Sequence, residues 1–364
     1  MAQTAFGVNH PLAVKLFSEK LFRESLKETF VGKFIGNTSS SLVQLLTDTQ
    51  KGAGDKITYG LRMQLNQAGV SGDSTLEGNE EALSFYSDSI VIDQLRNAVR
   101  SQGRMSEQRV PYAMREEARM ALTDWLSGTL DTWFMNQLCG NTGETDTRKT
   151  GMQATVAPTT AAGASDGISR LIVGGSAIAA ITTEGSLSAT TTHAITLRDI
   201  DIAVARAQTM SPVMKPLKMK GDTYWCLFLH PNALYQLRGQ TSTGQWADIQ
   251  KAALQGGNIT ENPIFTGAAG MYNNTIIHVS TRVPQTVGAS DNTLYRRAAF
   301  CGAQAAGIAF GQDSGPNRTI WNEKMFDFGN QLGVAAGVIG GLKKTQFNST
   351  DYSVITMAGY APAP

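Results

Sequence analysis

Apolar positions recur with a period that changes sharply from one segment to the next. Across residues 57–65, "ITYGLRMQL", the side chains Ile57, Tyr59, Leu61, Met63 and Leu65 alternate with Thr58, Arg62 and Gln64. That period of two predicts a half-buried strand. The next stretch, "NQAGVSGDSTLEGNEE", sets Gly69, Gly72 and Gly78 among mostly polar residues and predicts a long tip. "LSFYSDSIVID" (83–93) then supplies an extended return. The product is a long hairpin with a wide loop, and an isolated two-stranded hairpin needs another surface to lean on.

From Pro111 to Leu138 the period becomes helical. Met114, Ala118, Ala121, Leu122, Trp125, Leu126, Leu130, Trp133 and Phe134 form a broad stripe, and Gly140 follows as a stop. Pro111 suits a first turn, and Glu116 and Glu117 sit where a helix favours acids. Such a helix is about 40 Å long.

Around these elements the pattern is less regular. Residues 1–42 mix apolar and charged positions without a core of their own and read as an arm lying on something else. Residues 141–194 are rich in Ala, Thr, Ser and Gly and read as a surface insertion. Ile195, Ile200, Ile202 and Val204, with Thr196 as cap, predict an amphipathic helix over 196–210. "YWCLFLHP" (224–231) predicts a buried strand ending at Pro231. "NALYQLRG" and "QWADIQKAAL" predict short helices, and "TIIHVSTRVP" (275–284) another strand. The middle of the chain is thus a compact α+β domain. The closing stretch 326–348, "FDFGNQLGVAAGVIGGLKKTQFN", is apolar yet carries Gly329, Gly333, Gly337, Gly340 and Gly341. It predicts a buried strand whose glycines admit close backbone approach, with Lys343 and Lys344 marking where it leaves cover.

Composition narrows the function classes. Only 17% of the 364 residues are charged and 37 are glycine; a soluble chain averages about 25% charged. This suits a protein whose surface is consumed by contacts with other chains. The net charge of +1 argues against tight nucleic-acid binding, which needs a basic excess. Cys139, Cys226 and Cys301 lie far apart among apolar neighbours and read as small buried hydrophobes. The N-terminal stretch lacks the basic start and apolar core of a secretory signal. No apolar run nears the ~20 residues of a membrane helix. A cytoplasmic protein without membrane contact is expected.

Enzymatic signatures fail. No phosphate loop, G-x-G-x-x-G, G-x-S-x-G or H-E-x-x-H occurs, and His10, His193, His230 and His278 are too scattered for a metal. The adjacent pairs Glu80-Glu81 and Glu116-Glu117 point to different sides of an element, so neither forms an acid/base dyad. No catalytic residue, cofactor or metal is expected.

The order of parts, namely arm, long hairpin, long helix, α+β domain and returning segment, resembles the tailed-phage major capsid fold of the Hong Kong ninety-seven type. Three stretches are similar to major capsid proteins of phages like the podophage N-four: "TDTQKGAGDKITYGLRMQL" (47–65), "HPNALYQLRG" (230–239) and "DFGNQLGVAAGVIGGLKKTQFNSTDYSVI" (327–355). The resemblance implies an N-terminal arm (1–42), an E-loop hairpin with flanking strands (43–109) and a spine helix (110–140). It further implies an axial domain (141–325) containing the 141–194 insertion, and return strands of the peripheral domain (326–364). Many copies would assemble as pentamers and hexamers around double-stranded DNA held by non-specific contact, with portal, scaffold or decoration proteins as further partners. Arg62, Glu77, Glu80 and Glu81 are the expected inter-subunit contacts. Three alternatives stay open at this point: the shell of a cellular nanocompartment, a decoration or tail protein, and an enzyme of unfamiliar α+β type.

Overall fold

The helical stripe forms one helix, Met114–Leu138, in this computed structural model. The structure describes residues 29–46, 54–62, 67–83, 85–109, 113–174, 183–189, 191–219, 221–239, 268–287, 291, 294–311 and 319–364. Pro111, His10 and the short helix expected in "QWADIQKAAL" lie outside them. Early in the helix only one side is covered: Ala118, Leu122 and Leu126 are buried, whereas Met120 and Ala121 are exposed. From Trp133 to Leu138 every side is covered. Buried polar groups need partners, and the polar residues here have them. Trp133 Nε1 donates to the Arg148 carbonyl at 2.6 Å, Asn136 Nδ2 to Lys149 at 2.9 Å, and Gln137 Nε2 to Thr150.

Those bonds correct the reading of residues 141–194. The segment has little regular structure and many of its described residues are exposed, but parts of it are interior. Thr150, Gly151, Met152 and Arg170 are buried, and Leu171–Val173 pairs in parallel with the last strand, Val354–Tyr360. Thr159 N donates to Asp351 Oδ2 and Asp351 N to Thr159 Oγ1, both at 3.1 Å. Its small residues are low in hydrophobicity, so they read as surface; they are small because main chain runs close by. A Cβ on Gly151 would meet the Leu342 carbonyl oxygen at 2.4 Å.

The glycine-rich segment is the central strand of a six-stranded sheet. Gln331–Lys344 pairs with Ile320–Phe326 and Ala306–Phe310 along one edge and with Asp93–Arg100 along the other. Val43–Leu46 and Ile35–Gly36 extend the sheet beyond Ala306–Phe310. The long helix packs on this sheet: Leu126, Leu130 and Phe134 share a core with Val334, Ala336 and Val338.

A second sheet of seven strands runs Leu171–Val173, Val354–Tyr360, Tyr295–Cys301, Asp222–Leu229, Thr275–Val279, Ala268–Tyr272, with Leu217–Met219 beside Asp222–Leu229. The last strand therefore sits here, away from the other returning strands of 326–364. Asp222–Leu229 reads as a continuous apolar run because both faces are covered. Cys226 and Phe228 belong to the long helix's core, while Trp225, Leu227 and Leu229 face the second core. Helix Leu197–Thr209 covers that second core and starts at a capping box between Thr196 and Asp199. Pro231 opens helix Pro231–Arg238, and His230 Nδ1 accepts from Asn232 N at 3.2 Å. All three cysteines are free and buried.

The described end of the N-terminal lead lies on this body. Asp131 of the long helix accepts from Phe30 N at 3.3 Å and Val31 N at 3.1 Å. Phe30, Phe34 and Phe228 surround the buried His278 ring, with centroids 5.8, 5.1 and 5.9 Å away. Burial, with Lys33 nearby, lowers the His278 pKa to about 4. The unfolded chain titrates near ~6.5, so between these values it binds the proton that the folded chain refuses. Stability contributed by neutral His278 is complete above the unfolded value and is lost as pH falls from ~6.5 toward 4. Melting temperature should drop from pH 7.5 to pH 5, and His278→Gln should flatten that drop; an equally steep drop in the variant would contradict the account.

Candidate assembly surfaces

Lys56–Arg62 and Phe85–Val91 pair antiparallel in register over all seven positions. Ile57 and Ile90 are buried, and Thr58 and Gly60 opposite them are exposed. The two isoleucines join Ile92 and Ala309 in a small apolar cluster against the body. Asp88 shares the buried face with Ile90 and gathers donors from two directions. Tyr59 Oη donates to it at 3.1 Å, Gln346 N donates at 3.0 Å, and Lys343 Nζ forms an ion pair with it. Burial first, and then the Asp88 charge, push the Tyr59 hydroxyl pKa up. The Tyr59 ring also meets Phe347 edge-on, at 6.1 Å between centroids. The hairpin thus leans on its own chain at the base.

This network corrects the reading of the lysine pair. Lys343 and Lys344 do not mark an exit from cover. Lys344 is 1% exposed and its Nζ lies 2.9 Å from Asp351 Oδ2. Each lysine faces its own buried carboxylate because successive strand residues point to opposite sides. Asp88→Ala would leave the Tyr59 hydroxyl without its acceptor and Lys343 with only the Ser89 carbonyl, a loss of about 1–3 kcal/mol. Amide hydrogen exchange should speed up over 56–62 and 85–91 while the long helix keeps its protection; unchanged exchange in the hairpin would contradict the anchoring role.

The tip, residues 67–83, turns at Gly69, Gly72 and Gly78, whose φ values of 78°, 67° and 87° favour glycine. It carries Asp73, Glu77, Glu80 and Glu81 and no Lys or Arg. Glu81 Oε2 accepts from Gln67 N and Glu80 Oε2 from Gly78 N, both at 2.8 Å. These two carboxylates shape the loop, and Glu77 is exposed. Leu76, Leu83 and Phe85 are exposed as well. Arg62 stands opposite Phe85 at the end of the paired strands. The four expected contact residues therefore fall at the hairpin's far end, three on the tip and Arg62 below it.

A family model described as phage capsid protein matches residues 5–363. The chain belongs to the phage capsid protein family. Within this family, the major capsid protein of Pseudomonas phage KPP25 is 28% identical over 373 residues, spanning 94% of this chain and 93% of that protein. The capsid of Ralstonia phage GP4 superposes with a TM-score of 0.78 at 30% identity, covering 100% of this chain and 96% of that one. The capsid asymmetric unit of cyanophage Pam1 gives a TM-score of 0.71 at 19% identity, covering 100% and 97%, and at that identity it speaks for the fold. The fold is the tailed-phage major capsid fold of the Hong Kong ninety-seven type.

Proposed function

We propose that this chain is the major capsid protein of a tailed phage. It assembles through pentamers and hexamers into the icosahedral shell around the double-stranded DNA genome, and its role is structural rather than catalytic. The observation that carries the reading is likeness over the full chain, in sequence and fold, to the Ralstonia phage GP4 capsid. The hairpin supports it: a two-stranded arm anchored at one end, with Leu76, Leu83 and Phe85 exposed at the other, suits contact with a neighbouring copy. Heterologous contacts between identical chains close into rings, and an arm that bends leaves the core unstrained when ring angles differ.

In this reading residues 1–42 are the N-terminal arm, 43–109 the E-loop with its flanking strands, and 110–140 the spine helix. The axial domain takes 141–301 and the last strand Val354–Tyr360 rather than all of 141–325, while Ala306–Phe310, Ile320–Phe326 and Gln331–Lys344 form the peripheral sheet. A portal protein and scaffold or decoration proteins are its further partners, and a near-neutral charge lets packaged DNA touch the inner wall without being gripped. Assembly takes place in the bacterial cytoplasm and the product is the virion capsid. Arg62, Glu77, Glu80 and Glu81 contact adjacent subunits. Sedimentation tests this: wild-type protein should run as large closed particles and Arg62→Glu as folded, smaller species. Full assembly by Arg62→Glu would overturn the role given to Arg62.

A further inference from the structure

We propose that the recess where the hairpin base meets its own chain binds a small neutral aromatic carboxamide, a molecule of one ring and one amide. The recess encloses about 130 Å³, close to the ~150 Å³ of an engineered protein cavity that takes up benzene. Four separate segments wall it, among them the hairpin's Tyr59 and Gly60. Among the described residues no charged side chain lines it, and a recess without a counter-charge disfavours an ion. Part of the wall is aromatic. Phe347 stands between Tyr59 and Tyr352, nearly perpendicular to both rings, with centroids 6.1 and 5.4 Å away. A further aromatic ring packs against such a corner edge-to-face or offset.

The rest of the wall offers hydrogen bonds that the chain itself leaves open. Gln44 and Gln304 both line the recess, and Gln304 Nε2 donates to Gln44 Oε1 at 3.0 Å. That leaves Gln44 Nε2 as a donor and Gln304 Oε1 as an acceptor, neither with a partner among the described residues. An amide head answers both, its carbonyl accepting from one and its N–H donating to the other. Gln304 is held there in a strained backbone: its φ of 58° lies in the left-handed region, and its N donates to the Ser41 carbonyl at 2.8 Å. Such strain persists only where the surroundings over-determine it, and it clusters at ligand sites. Tyr352 is 3% exposed, yet its hydroxyl has no partner among the described residues. A buried hydroxyl without a partner is unfavourable, and here it is a third group for the same polar head. Water would meet the polar groups but gains little against three rings; a flat apolar body with one polar end meets both. The occupant also bridges Tyr59 and Gly60 to the body beside Asp88, to which the Tyr59 hydroxyl donates. It therefore resists opening of the hairpin base.

Benzamide is the probe, titrated into the full-length protein and followed by saturation-transfer NMR and amide hydrogen exchange. It should bind saturably, whereas benzoate, of the same shape but charged, should not. At about ten times its dissociation constant, benzamide should slow exchange over 56–62 about tenfold, because only the closed base binds it. The long helix should be unaffected. Gln44→Leu with Gln304→Leu removes both amides together, which leaves melting near wild type and should weaken binding by about tenfold or more. Tyr352→Phe deletes a hydroxyl that has no partner, so it keeps the fold even if the double variant does not. It should weaken binding roughly threefold to tenfold. No saturable binding, equal binding of benzoate, undiminished binding by the variants, or hairpin exchange indifferent to bound benzamide would each overturn the site.

Discussion

Gly341→Ala should cost the protein about 3 kcal/mol and much of its soluble yield. Gly341 lies in the central strand, where the E-loop's return strand crosses. A Cβ built there stands 2.0 Å from the Val91 carbonyl oxygen and 3.1 Å from its carbon. Both are backbone atoms, so no side chain can rotate away. Relief requires Val91 to shift, and Val91 is paired with Lys56 at the hairpin base. Overpacking of a well-filled interior costs about 1–3 kcal/mol when side chains can give, and backbone contact puts this site at the upper end. Gly60→Ala is the control, since its Cβ would meet the Tyr86 carbonyl oxygen at an ordinary 3.7 Å. A large fall in melting temperature for Gly341→Ala alone is expected, together with faster amide exchange in the hairpin. A melting temperature close to wild type would show that the crossing is looser than described.

Arg297→Met should destabilise by about 3–5 kcal/mol, as expected when one partner of a buried ion pair is removed. Arg297 is 4% exposed and meets both oxygens of Glu184 at 2.7 Å. Its Nη1 also donates to the Cys139 carbonyl at 3.0 Å and to that of Gly140. Those two carbonyls lie at the C-terminal end of the spine helix, where a cation also offsets the helix dipole. One side chain of the second sheet therefore fixes the end of the helix that supports the first. Removing it strands a buried carboxylate and two carbonyls together. The double change Arg297→Met with Glu184→Gln should cost less than the sum of its parts. Urea midpoints check this, and strict additivity would contradict the coupling.

Much of this architecture is legible because it rests on local periodicity. The spine helix, the hairpin strands, the capped helix after Thr196 and the strand before Pro231 each carry their own signal within a few residues. What was not legible depends on partners far along the chain. Asp88 reads as one polar residue among serines, and only the fold brings Lys343 and Gln346 to it. Its signal was an acid on the same strand face as Ile90. Lys343 and Lys344 read as an exit because two adjacent cations are usually solvated; their carboxylates, Asp88 and Asp351, come from distant or irregular segments. Residues 141–174 defeated the composition argument for the same reason, since Thr150 and Thr159 are buried there with bonds to the spine helix and Asp351. The closing strand's glycines did signal close approach, but the nearest backbone at Gly341 is the chain's own hairpin.

Electron microscopy of the purified chain, expressed alone and with its genomic neighbours, is the most direct test of the central claim. Closed shells, or rings of five and six subunits, are the predicted result. Monomers or dimers alone, under every condition of salt and concentration, would contradict it.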